Sequence, residues 1–189
     1  MFSSVHELKK MYRYDVKRKT FHIDIRLDYY RDLYNEWDYS PLHRRDIDMD
    51  LLEFIEECTS EIPLKFRIQI NFYLPKKVKN SEIEEKNITG MKNFFSYTLN
   101  KQLRERRRMF HSSLVYGLTG SALLIGAFLL QTLLKNDSAA VLISEGLFIG
   151  GWVLFWELFS FVFFRIQNVN REIRNDRRIL EAQIVYHYI

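Results

Sequence analysis

The sequence predicts an α+β membrane protein: a two-helix transmembrane hairpin with a small cytoplasmic domain of β-α-β-α order. Three features carry this prediction, namely two long apolar stretches, two strictly alternating segments, and clusters of Lys and Arg beside the apolar stretches. We expect a cytoplasmic domain at 1–100, a basic juxtamembrane helix at 101–111, transmembrane helices at 112–134 and 139–164, an outer turn at 135–138, and a basic cytoplasmic helix with a terminal strand at 165–189.

The apolar stretches are the strongest of these features. Each exceeds the roughly 20 residues that a helix needs to cross about 30 Å of hydrocarbon. Soluble helices rarely stay apolar on every face for so long. Only the residues 135–138 separate the two stretches, so we expect a tight turn and a hairpin.

The flanking charges predict the orientation. Basic residues precede the first stretch and follow the second: Lys101, Arg104, Arg106, Arg107, Arg108, Arg165, Arg171, Arg174, Arg177 and Arg178. Excess Lys and Arg mark the cytoplasmic side, so we expect a multi-pass protein of the cell membrane with both termini inside. Such clusters suit anionic lipid head groups. No nucleic-acid motif accompanies the charge, and we expect no nucleic-acid partner.

Alternation of apolar and polar residues predicts the strands of the cytoplasmic domain. Residues 20–28 and 65–74 each place apolar side chains on one face, as a half-buried strand does. A helix near 46–60 lies between them, with Cys58 on its apolar face. This order favours a parallel strand pair with a right-handed crossover, although the long link also permits other arrangements.

Two further elements complete the predicted domain. Ser81 and Glu84 form a capping box, so a helix begins there, and no proline interrupts it before the first apolar stretch. The tail Gln183–Ile189 is β-branched and aromatic. Because two strands alone are marginally stable, we expect this tail to return as an edge strand.

Small residues in the apolar stretches indicate close helix packing. The first stretch carries Ser113, Gly117, Gly120 and Ser121, and the second carries the GxxxG pair Gly146 and Gly150. Both rows can pack within the hairpin, or one row can pack within it and the other between subunits. We favour the second interpretation, which predicts a homo-oligomer.

Two carboxylates interrupt the apolar stretches and allow two interpretations. Glu157, with Ser160 nearby, is costly to bury and needs a partner, water or a proton, whereas Glu145 lies near the outer end. A structural Glu157 would be neutral or hydrogen-bonded and would fix the helix register, with Ser160, Thr119 or Gln131 as candidate partners. The alternative is an ion path that includes Glu145, Glu157 and Ser160.

The segment between the first strand and the helix is dense in aromatic and charged residues. It contains the candidate ligand residues Arg31, Trp37, Asp38, His43 and Arg45. These residues either line a ligand pocket or belong to a structured loop held by its own ion pairs. We find no catalytic, metal or cofactor motif.

The second apolar stretch resembles a known sequence pattern. The run from Glu145 to Val153, followed by Trp156, is similar to the "EGLLIGGWV..W" run of uncharacterised bacterial two-span membrane proteins. The likeness covers mainly residues 143–189 and implies a bacterial cytoplasmic membrane protein, without an activity. Those relatives have an Arg-Pro pair where this chain has Glu157 and Leu158.

Taken together, these features predict a non-enzymatic, homo-oligomeric membrane protein whose cytoplasmic domain binds a ligand or a protein partner. An oligomeric channel with Glu157 and Glu145 lining its path is the first alternative. A membrane-anchored enzyme is the second.

Overall fold

The computed structural model describes residues 5–41, 44–134 and 137–189 and divides the chain into two compact units. The α/β unit comprises the chain up to Lys101 together with Glu172–Ile189. The apolar unit comprises Gln102–Arg171. The predicted outer turn lies partly outside the described residues, since Lys135 and Asn136 are not among them.

Four strands form a single mixed sheet in the α/β unit. The elements are α1 (Val5–Met11), β1 (Arg13–Asp15), β2 (Thr20–Arg26), α2 (Met49–Glu61), β3 (Arg67–Leu74), α3 (Ser81–Leu133), α4 (Ser138–Ser160), α5 (Ile166–Glu181) and β4 (Gln183–Tyr188). The strand order is β1-β2-β3-β4, with β1 antiparallel to β2 and the other neighbours parallel. The predicted parallel pair and the returning terminal strand are therefore confirmed, whereas β1 is an addition.

The apolar residues of the strands build the core on one face of the sheet. Phe21, Ile70 and Phe72 are fully buried, and residues from α1, α2, α3 and α5 belong to the same apolar cluster. Because side chains alternate across a strand, the polar residues of β2, β3 and β4 occupy the opposite face. This face carries the candidate site described below.

Side-chain caps begin α2 and α3. The carboxylate of Asp48 accepts hydrogen bonds from the backbone N–H groups of Asp50 and Leu51. At α3 the side chain of Asn80 accepts from Glu82 and from Ile83. The predicted start of α3 is right, but the capping residue is Asn80 and not Ser81. An asparagine oxygen caps as well as a serine hydroxyl does.

Within the apolar unit, the second part of α3 packs antiparallel against α4. The buried residues Ser113, Gly120 and Ala127 of α3 recur every seven positions, as the seam of two packed helices requires. On α4, Ala140, Ser144 and Gly151 are buried. A Cβ atom on Gly120 would lie 3.1 Å from the carbonyl oxygen of Gly151, so these glycines mark the closest approach.

Both helices of the apolar unit are long and apolar enough to cross a membrane. Only 17% and 11% of their most apolar 18-residue windows is buried. The core helix of a soluble protein would be mostly buried. Their outward surfaces are therefore apolar, with Ile125, Phe128, Leu142 and Phe164 all more than half exposed.

Candidate functional site

A network of polar side chains covers the open face of the sheet. We call this the polar face, and its members are Arg13, His22, Asp24, Gln69, Asn71, Tyr73 and His187. Strand register brings them together, because β2 pairs with β3 along its whole length and β3 pairs with β4. The network therefore joins residues from all four strands.

Asn71 lies at the centre of the polar face and is fully buried. Its Nδ2 donates to Asp24 Oδ1 at 2.7 Å and lies 3.2 Å from His22 Nδ1. Its Oδ1 accepts from Gln69 Nε2 at 2.7 Å and lies 3.2 Å from His187 Nε2. A buried amide with partners on both of its ends fixes the positions of all four neighbours.

Asp24 gathers the donors at one side of this network. Its Oδ1 lies 3.0 Å from Arg13 Nη2 and accepts from the hydroxyl of Tyr73 at 3.4 Å. The ring of Tyr73 stacks on that of His187 with centroids 4.9 Å apart. The polar face thus presents one ion pair, two imidazoles and a phenol on a rigid sheet, which suits recognition of a polar ligand.

The surroundings of His22 disfavour its charged form. Partial burial and the nearby guanidinium of Arg13 lower the pKa of His22 below its ordinary value of 6.5. Its Nδ1 faces two donors, the Arg13 guanidinium and the Asn71 amide. This arrangement favours the tautomer with the proton on Nε2, since a proton on Nδ1 would oppose both donors.

Sequence reasoning identified the strands but missed the polar face. The signal was the set of polar residues left over when the apolar ones are assigned to the core, namely His22 and Asp24 in β2 and Gln69, Asn71 and Tyr73 in β3. Pairing β2 with β3 from Thr20 opposite Arg67 would have placed them side by side. Among the described residues, no group of three His, Cys, Asp or Glu side chains is arranged to hold a metal ion.

The structure separates the predicted ligand residues of the 28–46 segment. Arg31 and Arg45 line one cavity of about 560 Å³ together with Asp32, Tyr34, Asn35, Glu36 and Asp48. Trp37 does not line it and is 94% exposed. Asp38 accepts backbone hydrogen bonds from Ser40 and Asp46, so it shapes the loop. His43 lies outside the described residues.

This segment is held by hydrogen bonds within its own backbone and from its side chains to that backbone. Arg45 Nε donates to the carbonyl of Ser40, and Tyr34 pairs with Ile47 across a β-bridge. The hydrogen bonds that Asp38 accepts lower the pKa of its carboxyl group. The mixed charges around the cavity, with Arg31 and Arg45 facing three carboxylates, favour neither an anion nor a cation.

Glu157 has a basic partner on its own chain. Its Oε1 lies 2.8 Å from Arg165 Nη1, a partner that is not among those expected for a structural Glu157 (Ser160, Thr119 or Gln131). A π-helical turn at Phe161–Arg165 explains this pairing. The turn inserts one extra residue, so Arg165 lies about 20° around the axis from Glu157, where a regular helix would separate them by about 80°.

The other residues of the predicted ion path do not align with Glu157. Glu145 is exposed on α4, twelve positions earlier. This spacing corresponds to about 18 Å along the helix and about 120° around it. Ser160 is half-buried at the end of α4. Within one chain, these three side chains therefore do not form one line.

The two rows of small residues have different surroundings. Gly117 and Gly120 face α4, whereas a Cβ atom on Gly146 would meet nothing within 4 Å and one on Gly150 would make an ordinary contact of 3.6 Å with Leu123. Gly151, which was not among the expected packing residues, takes the place of the GxxxG pair in the seam. Ser121 is half-buried and donates to the carbonyl of Gly117.

Trp152 and Trp156 lie on the exposed surface of α4. They are 53% and 72% exposed and lie on one apolar surface with Phe148, Ile149 and Val153.

No protein-family model matches the chain, no curated protein matches it, and no solved structure matches it.

Proposed function

We propose that the chain is a non-enzymatic, homo-oligomeric membrane protein whose cytoplasmic domain binds a ligand or a protein partner. The observation that carries this proposal is the apolar exterior of α3 and α4. On α3, the exposed hydroxyls of Thr119 and Thr132 donate to carbonyls of their own helix four residues earlier. Such bonds leave no unmet donor in hydrocarbon, which supports a lipid environment for this surface.

The sheet supports a hairpin topology. β4 pairs with β3 along six residues, so the segments before and after the apolar helices lie on one side of any membrane. The chain must then cross it an even number of times, and two crossings match the two apolar helices. The basic flanks favour the cytoplasm for this side and would suit anionic lipid head groups.

The outward row of α4 supports assembly with a second copy. Gly146 and Gly150 lie on the same side of the helix as Glu157. A Cβ atom on Gly146 would meet nothing within 4 Å, whereas one on Gly150 would touch Leu123 at the border of the seam with α3. Small residues allow another helix to approach closely in lipid. We propose this row as the contact between subunits, and the polar face as the surface that binds a ligand or partner.

The channel alternative draws less support from the side chains. The bond from Arg165 satisfies Glu157 near one end of the apolar stretch, where a structural role suffices. Ion flux in liposomes that disappears in Glu157→Gln would favour the channel over our proposal.

One preparation tests the membrane and oligomer parts together. We expect the chain to stay in the membrane pellet after alkaline carbonate extraction. In nanodiscs, native mass spectrometry should give a mass of at least two chains. Extraction by carbonate, or a monomer at every protein concentration, would contradict the proposal.

A matched pair of variants locates the contact between subunits. Gly146→Leu should shift the mass towards the monomer, because the new side chain blocks close approach, whereas its Cβ atom would meet no packed neighbour within 4 Å. Gly126→Leu adds the same side chain at the other open glycine, on α3, and should keep the wild-type mass.

A further inference from the structure

A groove opens at the edge of the sheet where β2, β3 and β4 begin. Its volume of about 630 Å³ falls within the usual range for small-molecule sites. We call it the basic groove, and its lining residues are Arg18, Thr20, Leu64, Lys65, Phe66, Arg67, Ile68, Gln69, Arg178, Glu181, Ala182 and Gln183.

The lining of the basic groove is strongly cationic. Arg18, Lys65, Arg67 and Arg178 face a single carboxylate, that of Glu181. Within the described parts of the chain, none of the four cations belongs to an ion pair. A concave surface with one sign of charge concentrates the field and attracts counter-ions.

One wall of the groove is a rigid turn between β1 and β2. The carboxylate of Asp15 accepts hydrogen bonds from the backbone N–H groups of Lys17 at 2.8 Å and of Arg18 at 3.1 Å. These bonds also lower the pKa of Asp15. Lys19 takes a left-handed conformation with φ of 51°, which turns the chain into β2. Arg18 is therefore carried by a backbone that needs no ligand to order it.

Arg178 fixes the opposite wall. Its Nη1 donates to the carbonyls of Thr59 at 3.2 Å and Ile62 at 3.0 Å, and its Nη2 donates to that of Phe66 at 3.2 Å. These bonds tie the end of α5 to the end of α2 and to the loop that carries Lys65. A wall that is ordered before binding lowers the entropy cost of recognition.

Neutral carbonyls hold the guanidinium of Arg178 without cancelling its charge. Its Nε is buried and has no hydrogen-bond partner among the described residues. Burial also lowers the pKa of Arg178. An arginine stays protonated in proteins, so a positive charge remains beside the groove. An anion in the groove would compensate this charge.

The groove is continuous with the polar face through Gln69. This residue lines the groove and donates to Asn71 Oδ1 at 2.7 Å. The amide of Gln69 is thus held in place by Asn71, the buried centre of the network.

We propose that the basic groove binds a phosphate-bearing ligand, with Arg18, Lys65 and Arg67 contacting the phosphate and Arg178 positioning the wall. Guanidinium groups match phosphate oxygens in geometry, and several cations suit a group of charge about −2 better than a single carboxylate. This inference rests on the ligand-binding part of the proposed function and extends the binding surface from the polar face into the adjoining basic groove. The phosphate can belong to a soluble molecule or to a lipid head group.

The test uses the full chain in nanodiscs. In neutral lipid, pyrophosphate is titrated and binding is followed by ³¹P NMR. In a second arm, phosphatidic acid replaces part of the lipid and its co-purification in detergent is measured. Pyrophosphate binding identifies a soluble ligand, whereas retention of phosphatidic acid alone identifies a lipid head group.

Charge-matched variants separate the groove from bulk electrostatics. Lys65→Gln with Arg67→Gln should weaken binding roughly tenfold or more, about 1.4 kcal/mol. Lys76→Gln with Lys77→Gln removes the same charge outside the groove and should change binding less than about twofold. Equal weakening in both double variants, or no binding in either arm, would overturn the inference.

Failure here is distinguishable from failure of the proposed function. A chain that resists carbonate and assembles, but binds no phosphate, refutes the groove alone. A chain that binds phosphate but leaves the membrane pellet refutes the membrane assignment alone.

Discussion

The α/β unit and the apolar unit use apolar side chains in opposite ways. Ile70 and Phe72 of the sheet are completely buried, whereas Phe128 and Trp156 of the apolar helices are 66% and 72% exposed. Polar groups differ too: in the sheet they bond to one another across strands, and in α3 they bond to their own helix. The comparison indicates that the sheet excludes water by itself and that the apolar helices depend on their surroundings to do so.

The largest expected effect tests this difference with one substitution placed in each unit. Ile70→Ala should lower the free energy of unfolding by about 2–5 kcal/mol, because it leaves a cavity in a close-packed core. Ile149→Ala, at a position 64% exposed, should change it by less than about 0.5 kcal/mol. Urea unfolding of the chain in nanodiscs, monitored by its resistance to protease, measures both changes in the free energy of unfolding. An equal loss in the two variants would remove the distinction between the units.

A smaller effect sharpens the description of the helix pair. Gly151→Ala should destabilise the packed helices by about 1–3 kcal/mol, because the new methyl group would lie 2.7 Å from Leu124 Cδ2 and 3.1 Å from the carbonyl of Gly120. Gly146→Ala adds the same methyl group where nothing lies within 4 Å. When the chain is unfolded with SDS, the SDS fraction at the unfolding midpoint should fall only for Gly151→Ala. A fall for both variants would contradict the assignment of the seam.

The smallest effect concerns pH and the polar face. Since the folded-state pKa of His22 is lowered, the unfolded chain binds more protons as the pH falls below 6.5, and stability decreases with it. This loss of stability ends once the pH is below the folded-state pKa of His22. Arg13, Asp15, Asp24 and His187 all face this imidazole. Because His22 is partly exposed, we expect less than about 1 kcal/mol between pH 7 and 5.

The thermal midpoint of His22→Gln against wild type at pH 7, 6 and 5 measures this effect. The variant should lose less stability over this range. A steeper loss in the variant would show that His22 gains from protonation, contrary to its position between two donors.

The sequence predicted those parts of the fold that depend on periodicity. Alternation identified β2 and β3, and continuous apolarity identified the two long helices. Strand β1 was not predicted, because three residues are too few to show an alternation of apolar and polar side chains. The polar face was missed for a different reason. It depends on the register between strands, which brings together His22 and residues 49 and 165 positions away. The pattern of a single strand contains no information about that register.

The side-chain partners in the candidate sites were harder to predict than the elements. Glu157 meets Arg165 only because a π-helical turn rotates the chain between them, and no residue type signals such a turn. Arg31 and Arg45 share a cavity because the bridge of Tyr34 with Ile47 closes the intervening loop. The carboxylate of Asp38, in contrast, accepts hydrogen bonds from backbone N–H groups of that loop.

The position of β4 in the sheet sets an order of events during synthesis. The ribosome completes β1, β2 and β3 first, but α5 and β4 emerge only after both apolar stretches have left it. Until then β3 has an unpaired edge, and the core lacks Ile179 and Ala182. Folding of the domain can therefore finish only after the apolar stretches have found their environment. On the proposed topology, a chain that inserts one stretch and not the other would leave β4 on the opposite side of the membrane from β3. The edge of β3 would then be open to proteases and to other chains.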